Sequence, residues 1–103
     1  MATQAPPIAQ IPNRRFSPGH TIMTLGVDEL VRQGRLDPGQ YLRRHLRGDW
    51  GDLSDSDRRQ NDAALASGED SLFSSYQVAP GLTLWIITEW DRSVTTLLLP
   101  SEY

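Results

Sequence analysis

Two apolar runs toward the C-terminal end constrain this chain most. Leu82-Thr-Leu-Trp-Ile-Ile-Thr-Glu-Trp90 leads, across Asp91-Arg92-Ser93, into Val94-Thr-Thr-Leu-Leu-Leu99. Runs of β-branched and apolar residues split by a short polar break predict an antiparallel hairpin. Leu72-Phe-Ser-Ser-Tyr-Gln-Val78 reads as a further strand and Ala79-Pro-Gly81 as a turn, which extends the hairpin to a three-stranded meander. Both faces of the central strand are apolar. One face is expected to pack beneath Leu30, Tyr41, Leu42 and Leu46. It carries either Trp85, Ile87, Leu97 and Leu99 or the alternate set Leu84, Ile86 and Leu98. The other face then needs a separate cover, from the N-terminal segment or from a second chain.

Upstream the signals are helical. His20 to Leu25 permits either a short strand or the lead-in to a helix, in which Val27, Leu30 and Val31 fall at i, i+3, i+4 and Gly34 marks the end. Asp37-Pro38 starts a second helix, because Asp caps free N–H groups and Pro fits the first turn. That helix runs to about Arg47, with Tyr41, Leu42, His45 and Leu46 on one face, and Gly48 stops it. Ser54 caps a third helix with Asp57 completing an approximate capping box, ending at Gly68. Its apolar residues are Ala63, Ala64, Leu65 and Ala66, so it should lie on the surface. Helices first and strands after predict an α+β domain, with two to three N-terminal helices packed on a three- to four-stranded antiparallel sheet. Residues 19–103 form this domain. Residues 1–18, with Pro6, Pro7, Pro12 and Pro18, read as a flexible arm in which Arg14-Arg15-Phe16 is a solvated cluster, the alternative being that it docks on a partner or on the domain itself.

Composition narrows function by exclusion. The chain has no Cys, which removes disulfides, zinc–thiolate sites and thiol nucleophiles. No signal peptide opens it and no apolar run approaches the roughly 20 residues that span a bilayer, so a cytoplasmic location is expected and a membrane partner is not. All 10 basic residues are Arg, and the net charge of −3 lacks the basic footprint of a general nucleic-acid binder. No phosphate loop, nucleophile elbow or His-x-x-x-His pair is present. No cofactor is implied.

Two local features remain. Asp49, Asp52, Asp55 and Asp57 resemble a metal loop only loosely: their spacing is irregular, no Glu closes the set, and Arg58 and Arg59 compete, so no metal site is assigned. Trp50, flanked by Gly-Asp on either side, is expected to fold back as a lid over the core. The alternative makes it an exposed partner anchor, with Asp49, Asp52 and Arg47 beside it as interaction candidates. His20 and His45 are the two histidines, the residue type best suited to general acid–base work. With Arg44, Glu89, Arg92 or Tyr103, His45 would give a metal-free ribonuclease site in which one group takes a 2′-hydroxyl proton, one protonates the leaving oxygen and an Arg holds the phosphate. The competing expectation is a satisfied histidine at the core edge, no catalytic residue at all, and a polar hairpin tip around Glu89, Asp91 and Arg92 in which Arg92 pairs with an acidic neighbour.

At Gly48-Asp-Trp-Gly-Asp-Leu53, Leu84-Trp-Ile-Ile-Thr-Glu89 and Asp91-Arg-Ser-Val-Thr-Thr-Leu-Leu-Leu-Pro-Ser-Glu-Tyr103, the chain resembles a family of small bacterial plasmid-related proteins. These are also found on integrative elements. The resemblance covers residues 20–103 and implies an accessory role on a mobile element. It brings no activity, substrate or catalytic residue. A type I restriction label carried by some members does not fit, since these 103 residues hold no methyltransferase cofactor loop. The resulting expectation is a non-enzymatic interaction module with a protein partner, and a homodimer is open. A toxin-type ribonuclease and an inhibitor of a defence or nucleic-acid-binding protein stand as alternatives.

Overall fold

The structure is a computed structural model, and it describes Thr3–Gln4 and residues 13–103. The chain runs β1 (Thr3–Gln4), β2 (His20–Met23), α1 (Leu25–Arg32), α2 (Pro38–Leu46), α3 (Asp55–Ser67), β3 (Leu72–Ala79), β4 (Leu82–Thr88) and β5 (Val94–Leu98), then a short 3-10 helix at Pro100–Glu102. It is an α+β fold with the helices ahead of a strand meander. The flexible arm expected over residues 1–18 falls largely outside the described residues. Its last part is not a solvated tail. The Arg15 N–H donates to the Leu46 carbonyl at 2.7 Å, and the Phe16 ring stacks on Trp50 with centroids 6.3 Å apart.

Local chemistry sets the helix boundaries. Thr24 caps α1, and Glu102 reinforces the cap: its carboxylate accepts from the Gly26 N–H at 2.8 Å and from the Thr24 hydroxyl at 2.5 Å. Asp37 accepts from the Gly39 N–H to open α2, and Ser54 accepts from the Asp57 N–H to open α3, which closes on Gly68 in the left-handed region. The 20–25 segment satisfies both of its readings, since a strand ends at Met23 and a helix begins at Leu25.

The sheet order is β1-β2-β5-β4-β3. The meander is antiparallel as expected, whereas β2 lies parallel to β5 through Ile22↔Thr96 and its neighbours, so the sheet is mixed at that one junction. The helical core contains Leu84, Ile86 and Leu97 packed with Val27, Leu30, Leu42 and Leu46. Both expected groupings of hairpin residues are therefore corrected at β5. Because the 89–93 connection pairs Ile86 with Leu97 and Trp85 with Leu98, Leu97 turns toward the helices and Leu98 shares the opposite face with Trp85. α3 lies at the surface and buries only Asn61 and Ala64, in keeping with its weak apolar stripe.

Candidate functional site

His45 sits on the inward face of α2 and is fully buried. Its Nδ1 lies 2.6 Å from the Ser74 hydroxyl and its Nε2 lies 2.9 Å from the Thr88 hydroxyl. Thr88 meets Thr95 at 2.7 Å, and the Thr95 hydroxyl donates to the Pro18 carbonyl at 2.8 Å. That last bond orients the whole chain. A carbonyl only accepts, so Thr95 gives its hydrogen to Pro18 and receives one from Thr88. Thr88 then receives one from Nε2–H, and Nδ1 accepts from Ser74. The neutral Nε2–H tautomer satisfies every member.

Burial, with the positive charge of Arg92 adding to it, pushes the His45 imidazole down to about 3. The rings of Phe16 and Trp50 meet the imidazole edge-on at 5.3 and 5.6 Å. With both nitrogens committed and no exposed surface, His45 has neither a free valence nor an approach for a substrate atom.

The two arginines named for a ribonuclease site are engaged elsewhere. Arg44 pairs with Asp49 at 2.7 Å and lies over the Tyr76 ring. The hydrogen bond from Arg44 holds the Asp49 carboxyl below its ordinary range. Arg92 has φ 62°, unusual for a side-chain-bearing residue, and its guanidinium donates to the carbonyls of Asp70, Glu89, Trp90 and Ala64. The acidic neighbour expected for Arg92 is thus replaced by four backbone acceptors, one of them in the last turns of α3. Glu89, His20 and Tyr103 are exposed.

The Gly48–Leu53 motif closes a sheet edge. β3 has β4 on one side only. On its other side the Ser75 N–H donates to the Trp50 carbonyl, the Asp52 N–H donates to the Ser75 carbonyl, and the Asp52 carboxylate accepts from the Gln77 N–H at 2.8 Å. Gly51 stands at φ 78°, and a Cβ there would lie 2.1 Å from the Ser75 carbonyl oxygen, so only glycine permits the approach. Asn61 holds the N–H and carbonyl of Phe73. Every outward-facing backbone group from Phe73 through the Gln77 N–H has a partner within the domain, which removes the hazard of an open edge.

Trp50 is only 2% exposed, and its indole N–H donates to Asp62 at 3.0 Å. It is the lid and not the exposed anchor. Of its companions, Asp49 and Arg47 are exposed, and the Asp52 carboxylate is turned to the β3 edge. Asp55 and Asp57 stand in the first turn of α3, so the four aspartates serve an ion pair, a strand edge and a helix start.

No family model, curated protein or solved structure matches the chain. The geometry itself singles out a different surface, on the side of the sheet away from the helices. Phe73, Trp85, Ile87, Thr96 and Leu98 line a hollow of about 680 Å³ there, walled by Tyr103, Glu89 and Glu102. Trp85 meets Phe73 edge-on at 5.1 Å and Tyr103 at 5.7 Å. Leu98 is 6% exposed, and the other strand residues are half-buried. Apolar parity on both faces of β4 was the available signal for this surface. Among the described residues no helix is long and apolar enough to cross a membrane.

Proposed function

We propose that this domain is a non-enzymatic interaction module whose working surface is the open face of its sheet. One observation carries the reading: α1, α2 and the Trp50 lid cover one face, while Phe73, Trp85 and Ile87 line a hollow on the other that no helix among the described residues covers beyond Glu102 and Tyr103 at its wall. A contiguous apolar hollow rimmed by polar groups is how docking surfaces are built. The accessory role on a plasmid or integrative element, implied by the sequence resemblance, belongs to the same reading, as does a cytoplasmic setting.

The test is paired. Purified protein is incubated without metal with structured and single-stranded RNA, and capture of proteins from the source cells is compared for wild type and Trp85→Arg. Intact RNA is expected, together with a protein retained by wild type and lost with Trp85→Arg, which should melt within a few degrees of wild type. RNA cleavage abolished by Arg44→Ala at unchanged Tm would replace this reading with the ribonuclease one.

A further inference from the structure

Resting on the reading of the open face as the working surface, we infer that its partner is a cationic amphipathic helix carried by another protein. Three observations select this occupant. The first is charge. The hollow over Trp85 adjoins a second one around the β3 edge, the two sharing Ser71 and Phe73. Glu89, Asp57 and Asp70 line the pair together with Glu102, whose carboxylate is engaged at the α1 cap. Among the described residues no Arg or His does, Arg92 donating to the Asp70 and Glu89 carbonyls without lining either hollow. Apolar floor and acidic rim complement a chain that offers apolar side chains flanked by Lys or Arg. The same rim opposes nucleic acid and anionic lipid.

The second observation is the closed strand edge. A peptide strand adds to a sheet through unpaired backbone groups. At β3 these are held by Trp50, Asp52 and Asn61, so a partner at this end must lie across the face. The third is width. The floor is formed by β3, β4 and β5, and strands spaced about 4.8 Å apart put the outer two about 10 Å from each other. That is about the diameter of one α-helix with its side chains. A second copy of this chain fits poorly, because two such faces brought together would oppose acidic rims.

Three 18-residue helical peptides with one shared Leu face and a polar face of Arg, Gln or Glu serve as probes. They are titrated into isotope-labelled protein while backbone amide shifts are followed. The Arg peptide should bind with shifts centred on Phe73, Trp85, Ile87 and Leu98, at least tenfold more tightly than the Glu peptide. Its affinity should fall as NaCl is raised from 50 to 500 mM. Glu89→Arg and Asp70→Arg should each narrow the preference at least threefold at unchanged Tm, and Trp85→Arg should abolish binding. Equal binding of the three peptides at this face would overturn the cationic partner and leave the interaction surface standing. Shifts elsewhere, or none with any peptide, would overturn both. A dimer in sedimentation that Trp85→Arg dissociates would replace the helix by a second copy.

Discussion

Asn61 on α3 grips Phe73 on β3 with both ends of its amide: Nδ2 donates to the Phe73 carbonyl at 2.6 Å, and Oδ1 accepts the Phe73 N–H at 3.2 Å. A side chain thereby stands in for a missing strand. Asn61→Ala should cost about 2 kcal/mol, two hydrogen bonds at about 1 kcal/mol each, measured by urea unfolding. It should also raise light scattering on heating, because the freed edge becomes a template for pairing. Unchanged stability and scattering would show that water replaces the clasp without loss.

His45 makes folding pH-dependent. Its folded-state value of about 3 lies below the unfolded reference of about 6.5, so the unfolded chain binds the additional proton between these values. The stabilisation is complete above pH 6.5 and is lost as pH falls toward 3, at up to about 1.4 kcal/mol per pH unit. Urea melts from pH 7.5 to 4.5 should show this slope in wild type and a flatter profile in His45→Gln. A parallel slope in the variant would assign the effect to other groups.

Arg92 combines a left-handed backbone with four carbonyl contacts, and the two can be separated. Arg92→Gly relieves a backbone cost of about 1–2 kcal/mol but removes the contacts, whereas Arg92→Ala removes the contacts and keeps the cost. Arg92→Ala should therefore be the less stable of the two by about 1 kcal/mol, with both below wild type in thermal melts. Arg92→Lys should not restore stability, since one ammonium cannot reproduce the planar fork.

The tryptophans should respond in opposite ways. Trp50→Ala empties a buried, hydrogen-bonded position and should cost about 3–5 kcal/mol. Trp85→Thr, on the open face, should cost less than about 1.5 kcal/mol, because threonine suits a half-buried strand position. Calorimetry of the two variants decides. Equal losses would mean that the open face contributes to the core.

Helix starts were legible because capping is local chemistry: Asp37-Pro38 and Ser54 announce α2 and α3 within a few residues. The meander was legible for the same reason. What escaped is long-range. Nothing near His20 signals a parallel neighbour at Val94, and the phase of β5 depends on the path of the 89–93 connection. The partners of His45 were within reach. Ser74, Thr88 and Thr95 interrupt the inward apolar parity of three adjacent strands, and such interruptions point to a polar guest among them. The Trp50 lid was legible in the Gly48–Leu53 motif, but its edge-sealing role was not, because aspartates and glycines are equally what a contact surface and a sealed strand edge require.

The hydroxyl chain from Ser74 to Pro18 has a direction as well as a path. Pro18 has no hydrogen to return, so the line cannot be reversed, and its order depends on the carbonyl just ahead of β2 remaining in place. The Thr88 and Thr95 hydroxyl protons are consequently timekeepers for that segment. Their exchange with solvent can be no faster than the excursions that lift residues 17–18 from the sheet or open the core around His45. Resonances from these two protons that persist in water would clock the seating of residues 17–18 at Pro18 itself, which has no amide hydrogen of its own to report it.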